Sequence, residues 1–281
     1  MKKSLVQIVA AFAVLCFSCI ENPFGGDNKI SGGTRSISGQ VKLSNGASAE
    51  GAYVWLDGFN IGARANANGD FTLTLPSAGS QGGGATGVYQ LYFFCANYRI
   101  MPTASVTTRN GAFLYGQGDI NKNGALYSAK TLERFLRVST QVTPSTVAAN
   151  FTGTITVETT LEATIDTATV VFPNTIAGLL GAVLVRRVGT NEVYIFQAAP
   201  GADGVEVQRI SRSATKRGMN FNFINASLPP GDYEVIPYIL IRRQQVPSLL
   251  MASLGASVEL LGPGYINLPM KREGGQFKVT P

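Results

Sequence analysis

Histidine is absent from all 281 residues of the chain. With it go the Ser-His-Asp and Cys-His nucleophile systems, the usual zinc sites and the commonest general base of enzymes. Carboxylate-pair hydrolysis, Ser-Lys chemistry and metal sites built from oxygen ligands stay open. Charged residues are scarce, at 14%, and no apolar run reaches the roughly twenty residues of a membrane-crossing helix. The formal net charge of +6 falls to +4 once Lys2 and Lys3 are set aside. The basic residues are spread along the chain. Arg186-Arg187 and Arg242-Arg243 lie in strand-like runs, where neighbours point to opposite faces, so neither pair makes a patch. Nucleic-acid binding is not expected. Cysteine is limited to Cys16, Cys19 and Cys95, and Trp55 is the single tryptophan.

Cys16 and Cys19 form a C-x-x-C pair, a spacing shared by redox dithiols, half metal sites, disulfides and lipid attachment points. Their surroundings decide among these. Met1-Lys2-Lys3-Ser4 gives a basic start, and an apolar run from Leu5 to Phe17 is broken only by Gln7. This is the pattern of a secretory signal peptide. Thioredoxin-like C-x-x-C pairs instead follow a strand and begin a helix. The stretch Leu15-Cys16-Phe17-Ser18-Cys19 resembles the lipobox of bacterial lipoproteins. Ser18 supplies the small residue before the cysteine, while Cys16 stands where the family prefers Leu and Leu15 sits one place early.

That resemblance implies a signal peptide over residues 1–18, cleavage before Cys19 and a diacylglycerol on the Cys19 sulfur. Cys16 then leaves with the signal, and Cys95 alone remains, too few for an intramolecular disulfide or a Cys-only metal site. Simple secretion after cleavage at another small residue is the alternative. Acyl chains contribute about 0.8 kcal/mol per buried CH₂, so a multiply acylated terminus holds a protein at a bilayer without any apolar surface on its folded part. Residues 19–35, rich in Gly, Ser and Asn, read as a lipidated flexible tether. Ile20, where an Asp would mark inner-membrane retention in enteric bacteria, resembles outer-membrane cargo.

Abundant Gly and Thr and a lack of long amphipathic runs favour an all-β chain. In residues 36–136, Ile37, Gly39, Val41 and Leu43 alternate as one strand, and Ala52–Leu56 reads as a second. Phe71, Leu73 and Leu75 alternate strictly after Asn68-Gly69-Asp70 and share one buried face. The segments "ISGQV" (37–41), "GAYVWLDG" (51–58), "NANGDFTLTLP" (66–76) and "YQLYFFCANY" (89–98) resemble the carboxypeptidase regulatory-like domain, with Asn66 where that family often has Asp. The resemblance implies a small transthyretin-like β-sandwich: a rigid accessory module without catalytic residues, used for spacing, display or carbohydrate contact. Trp55 reads as a core anchor first and a sugar-stacking platform second. Cys95, in an aromatic strand, reads as a small buried hydrophobe.

"DINKNGALYSAK" (119–130) places Asp119, Asn121, Asn123 and Gly124 at positions 1, 3, 5 and 6 of an EF-hand loop. Position twelve is Lys130, a cation where a bidentate acid belongs. The competing reading is an Asn123-Gly124 hairpin joining "AFLYGQG" to "ALYSAKTL", with Asp119, Asn121 and Asn123 kept as metal candidates.

In residues 137–281, strand-like runs at Thr169–Phe172, Ala182–Val188, Val193–Gln197, Val205–Ile210, Met219–Ile224 and Tyr233–Ile241 suggest an Ig-like sandwich. "LPPGDYEVIPYI" resembles the closing hairpin of bacterial Ig-like modules. One short helix is predicted over Ser248–Leu254, entered after Pro247 and stopped by Gly255. Its Leu249, Leu250, Met251 and Leu254 are expected to pack onto the sandwich rather than form an exposed patch.

The expected protein is thus all-β: two β-sandwich domains, transthyretin-like followed by Ig-like, after a lipoprotein signal peptide. It is expected to act as a lipid-anchored, non-catalytic structural, adhesive or assembly module of the cell envelope, at the outer membrane. Its partners would be the membrane, through the N-terminal lipid, and envelope proteins or polysaccharide. No cofactor is expected. The first alternative is a carbohydrate-binding lipoprotein with Trp55, Phe59, Tyr89 and Tyr92 exposed on one face. The second is a hydrolase with paired carboxylates, which the sequence cannot place together.

Overall fold

The computed structural model describes residues 35–81, 84–100, 103–223, 228–242 and 245–281. Cys16, Cys19 and the leader lie outside the described residues, as do Ile224 and Arg243. The first half holds β1 (Ser36–Leu43), β2 (Tyr53–Leu56), β3 (Ile61–Arg64), β4 (Asp70–Thr74), β5 (Gly87–Phe94), β6 (Thr103–Arg109), β7 (Ala112–Phe113) and β8 (Lys130–Leu132). The second holds β9 (Leu136–Thr143), β10 (Thr146–Ala148), β11 (Thr154–Ala163), β12 (Ala168–Pro173), β13 (Ala182–Arg187), β14 (Val193–Gln197), β15 (Val205–Ile210), β16 (Thr215–Asn222), β17 (Gly231–Pro237) and β18 (Leu240–Ile241). The helix α1 (Ser248–Leu254), β19 (Glu273–Gly274) and β20 (Gln276–Thr280) complete it. The protein is an all-β sandwich fold with one short α-helix among the described residues, and none of the described helices is long and apolar enough to cross a membrane.

In the first sandwich, sheet β4-β1-β8 faces sheet β3-β2-β5-β6-β7. Period-two alternation sends Ile37, Val41, Phe71, Leu73, Val54, Leu56, Leu91 and Phe93 into one core. Two loops of the same construction flank β1. In Asn66–Asp70, the Asn66 Oδ1 accepts the backbone N–H groups of Asn68 (3.0 Å) and Asp70 (2.9 Å), and Gly69 takes φ 83°. In Asn121–Ala125, the Asn121 Oδ1 accepts those of Asn123 (2.8 Å) and Ala125 (3.1 Å), and Gly124 takes φ 82°. Each is an Asx turn closed by a glycine in the left-handed region. The Gly69 and Gly124 carbonyls then accept the N–H groups of Val41 and Ser38, seating β1 between the two turns.

The second sandwich pairs β10-β20-β17-β13-β14 with β16-β11-β9-β19, beside a smaller sheet β15-β12-β18. Phe196 of β14 stacks on Phe221 of β16 across the core, with ring centroids 4.3 Å apart and planes 10° apart. Tyr233, at the start of β17, donates its hydroxyl to the Pro229 carbonyl four residues upstream at 2.6 Å. This is the bond of the tyrosine corner found in Ig-type sandwiches. The expected strand at 219–224 starts earlier, at Thr215, because its Thr215–Asn222 ladder with β11 continues past the apolar stretch.

β2 is buried on both faces. Val54 and Leu56 enter the first core, while Tyr53 and Trp55 join the second. Their cross-strand partners in β5 divide the same way: Phe93 and Leu91 inward, Phe94 and Tyr92 outward. The outward face is covered by α1 and the segment after it, through Leu250, Val258, Tyr265, Leu268 and Met270. Hydrogen bonds seal the contact, including Tyr53 Oη with Ser253 Oγ at 3.0 Å and Ala96 N–H with the Pro269 carbonyl at 2.6 Å. The helix runs as expected over Ser248–Leu254, with Leu250 buried and Met251 and Leu254 packed against the core, but Leu249, expected to pack with them, is exposed.

Candidate functional site

The chemistry-bearing side chains gather where these layers meet. At the centre is Asn97, 1% exposed. Its Nδ2 donates to the carbonyls of Leu136 (3.0 Å) and Lys271 (2.9 Å), and its Oδ1 accepts the Lys271 N–H (3.0 Å). One amide thus ties the turn after β5, β9 and the segment before β19 together. Arg134 and Arg137 both reach the Glu273 carboxylate, each at 2.7 Å. Partial burial of Glu273 pushes its carboxyl up, but the hydrogen bonds and charges of Arg137 and Arg134 more than offset this and hold it below the usual range. Cys95 is fully buried beside Asn97, and burial pushes its thiol up to about 11, so it is protonated at neutral pH.

A cleft of about 500 Å³ opens on one side of this junction, floored by Phe94, Ile100 and Phe135, with Arg99, Asp166 and Arg242 around it. Its size falls in the roughly 300–1,000 Å³ range of small-molecule sites. Arg99 bridges Asp166 of the cleft (Nη2, 3.4 Å) and Glu133 outside its lining (Nη1, 3.5 Å). A hydrolytic carboxylate pair needs an open gap between its acids for the substrate; here a guanidinium occupies that gap. On the other side lies a smaller pocket of about 160 Å³ whose wall carries Arg64, Arg186, Lys271 and Arg272. Burial pulls the Arg64 guanidinium below its ordinary value.

The four aromatic residues considered for sugar stacking are not assembled into one platform. Trp55 has no exposed surface, its ring packed 5.7 Å from Tyr92 and its indole N–H donated to Asn60 Oδ1 at 3.3 Å. Phe59 and Tyr89 pair with each other, 4.8 Å apart, against the first core. Tyr89 and Tyr92 are three positions apart on one strand, so alternation sends them to opposite faces. The anchor role for Trp55 is the one the structure shows.

Of the three residues considered for calcium, Asp119 and Asn121 use side-chain oxygens in folding. Asp119 Oδ2 accepts the Ser105 N–H at 2.6 Å, and Lys130 Nζ lies 3.5 Å from its Oδ1. Asn121 Oδ1 closes its own turn, and Asn123 is exposed. Among the described residues, no three of His, Cys, Asp and Glu gather as metal ligands. The turn joins its flanks by a single bridge, Ile120 with Leu126, rather than a long hairpin ladder, since Ala125 and Leu126 pair with β1 instead.

No family model matches the chain, and no curated protein matches it. Solved structures that align with the chain include the major pilin subunit BcpA of Bacillus cereus, at 14% identity and a TM-score of 0.26, covering 76% of this chain and 60% of that one. The Bacillus anthracis TIE protein aligns at 10% identity and a TM-score of 0.24, covering 72% of this chain and 45% of its own. The chain therefore spans about half the length of these structures.

Proposed function

We propose that the chain is a lipid-anchored cell-envelope protein, moored at the outer membrane through Cys19, whose folded body is a non-catalytic structural, adhesive or assembly module. The observation that carries this reading is the cysteine placed directly after a short apolar leader and a small residue. On this reading the first sandwich is a carboxypeptidase regulatory-like module and the second an Ig-like one. Support for a passive role comes from the fate of the polar side chains. Asn97, Asp119, Asn121 and Glu273 are each consumed in holding layers or turns together. A rigid body on a tether presents its surface at a distance from the bilayer, which suits contact with other envelope components.

The experiment is to incubate the purified protein with envelope polysaccharides and, separately, with solubilised outer-membrane proteins. Retention of a defined envelope protein, with no glycan held, is the expected result. Retention of a glycan alone would replace this reading with the carbohydrate-binding one.

A further inference from the structure

The smaller pocket joins cations from separate stretches of the chain: Arg64 at the end of β3, Arg186 in β13, and Lys271 with Arg272 before β19. Glu50 and Glu234 are the acids on its wall. Arg186 is paired with Glu234. Arg64 and Lys271 are held in place by carbonyls, which do not neutralise them. Arg64 Nη2 donates to Asn267 O at 2.6 Å and Nη1 to Gly51 O at 3.3 Å, and Lys271 Nζ donates to Glu50 O at 2.6 Å.

Arg272 has two donors without a partner. Its Nε and Nη2 are both buried and neither has a hydrogen-bond partner; the Nε of Arg186 is in the same condition. A buried donor left unmade is costly, and more so on a charged group, which is why native interiors pair such atoms. Nε and Nη2 are also the two nitrogens of one guanidinium edge, the fork that receives both oxygens of a carboxylate or phosphate. The guanidinium lies over the Tyr265 ring, 5.4 Å from its centroid, and the Tyr265 hydroxyl donates to the Ile239 carbonyl at 2.6 Å.

We propose that this pocket binds a small oxyanion, a phosphate or carboxylate group, received side-on by Arg272 Nε and Nη2 with Arg186 Nε, Arg64 and Lys271 supplying the surrounding positive potential. The site is independent of the lipid anchor, so either reading can fail without the other.

The test is a titration of the purified protein with inorganic phosphate, and in a second arm with glucuronate, at constant ionic strength against chloride. Arginine Nε–H resonances and the melting temperature are followed. A saturable shift of the Arg272 Nε–H signal is expected, with a rise in melting temperature that grows with ligand concentration. Arg272→Lys keeps the charge but loses the fork, and should weaken binding about tenfold or more. Arg109→Gln, at an exposed cation outside the pocket, should leave binding unchanged. A response to phosphate alone assigns a phosphate-bearing ligand, and a response to glucuronate alone an acidic sugar. Equal effects of phosphate, glucuronate and chloride would overturn the proposal, as would undiminished binding by Arg272→Lys.

Discussion

Trp55→Ala should destabilise the protein by about 3–5 kcal/mol, the range for deleting a buried tryptophan side chain. The indole has no exposed surface and lies between the Tyr92 ring and the layer contributed by α1 and the residues after it. Alanine leaves a cavity that two β-sheets and a helix cannot easily close, because the interior is packed at crystal-like density. It also removes the donor to Asn60. Equilibrium urea unfolding measures the loss. A drop below about 1 kcal/mol would mean that the indole does not pack as described, since surface changes fall in that range. Phe59→Ala provides the comparison: that ring is partly exposed, and its removal should cost clearly less.

Asn97→Leu should cost about 3–5 kcal/mol by a different route. Leucine of similar size fills the space but strands the Lys271 N–H and removes the donor shared by the Leu136 and Lys271 carbonyls. Each buried polar group left unpaired costs about 1–3 kcal/mol. Because this amide joins the two sandwiches, hydrogen exchange at the Lys271 amide should accelerate along with the fall in stability. Unchanged exchange at Lys271 would show that the strap before β19 is held by other contacts.

Much of the architecture is written locally. Phe71, Leu73 and Leu75 announce their strand by strict alternation, and Pro247 with Gly255 bounds α1. The buried Cys95 is legible from its aromatic surroundings. The cover over β2 is not, because "YVWL" is a short apolar run whose second face is filled by residues some 200 positions later, as Tyr53 with Ser253 shows. Such a run cannot be assigned a partner from periodicity alone. The segregation of Tyr89 from Tyr92 was available from parity along one strand. So was the kinship of "NANG" and "NKNG": both spell an Asx turn, although the EF-hand spacing of the second draws attention to metal ligation instead. The basic pocket escapes sequence reading entirely. Arg64 and Arg186 end or lie in distant strands and Arg272 lies in the segment before β19, so a scan of adjacent Arg pairs meets Arg186 but not the cations it is brought beside.

Metabolic labelling reads the proposed lipid on Cys19 directly. Cells supplied with radiolabelled palmitate should incorporate it into the native protein and into Cys16→Ala, whereas Cys19→Ala should carry no label and leave the membrane fraction. Equal labelling of Cys19→Ala, or none in the native protein, would contradict it.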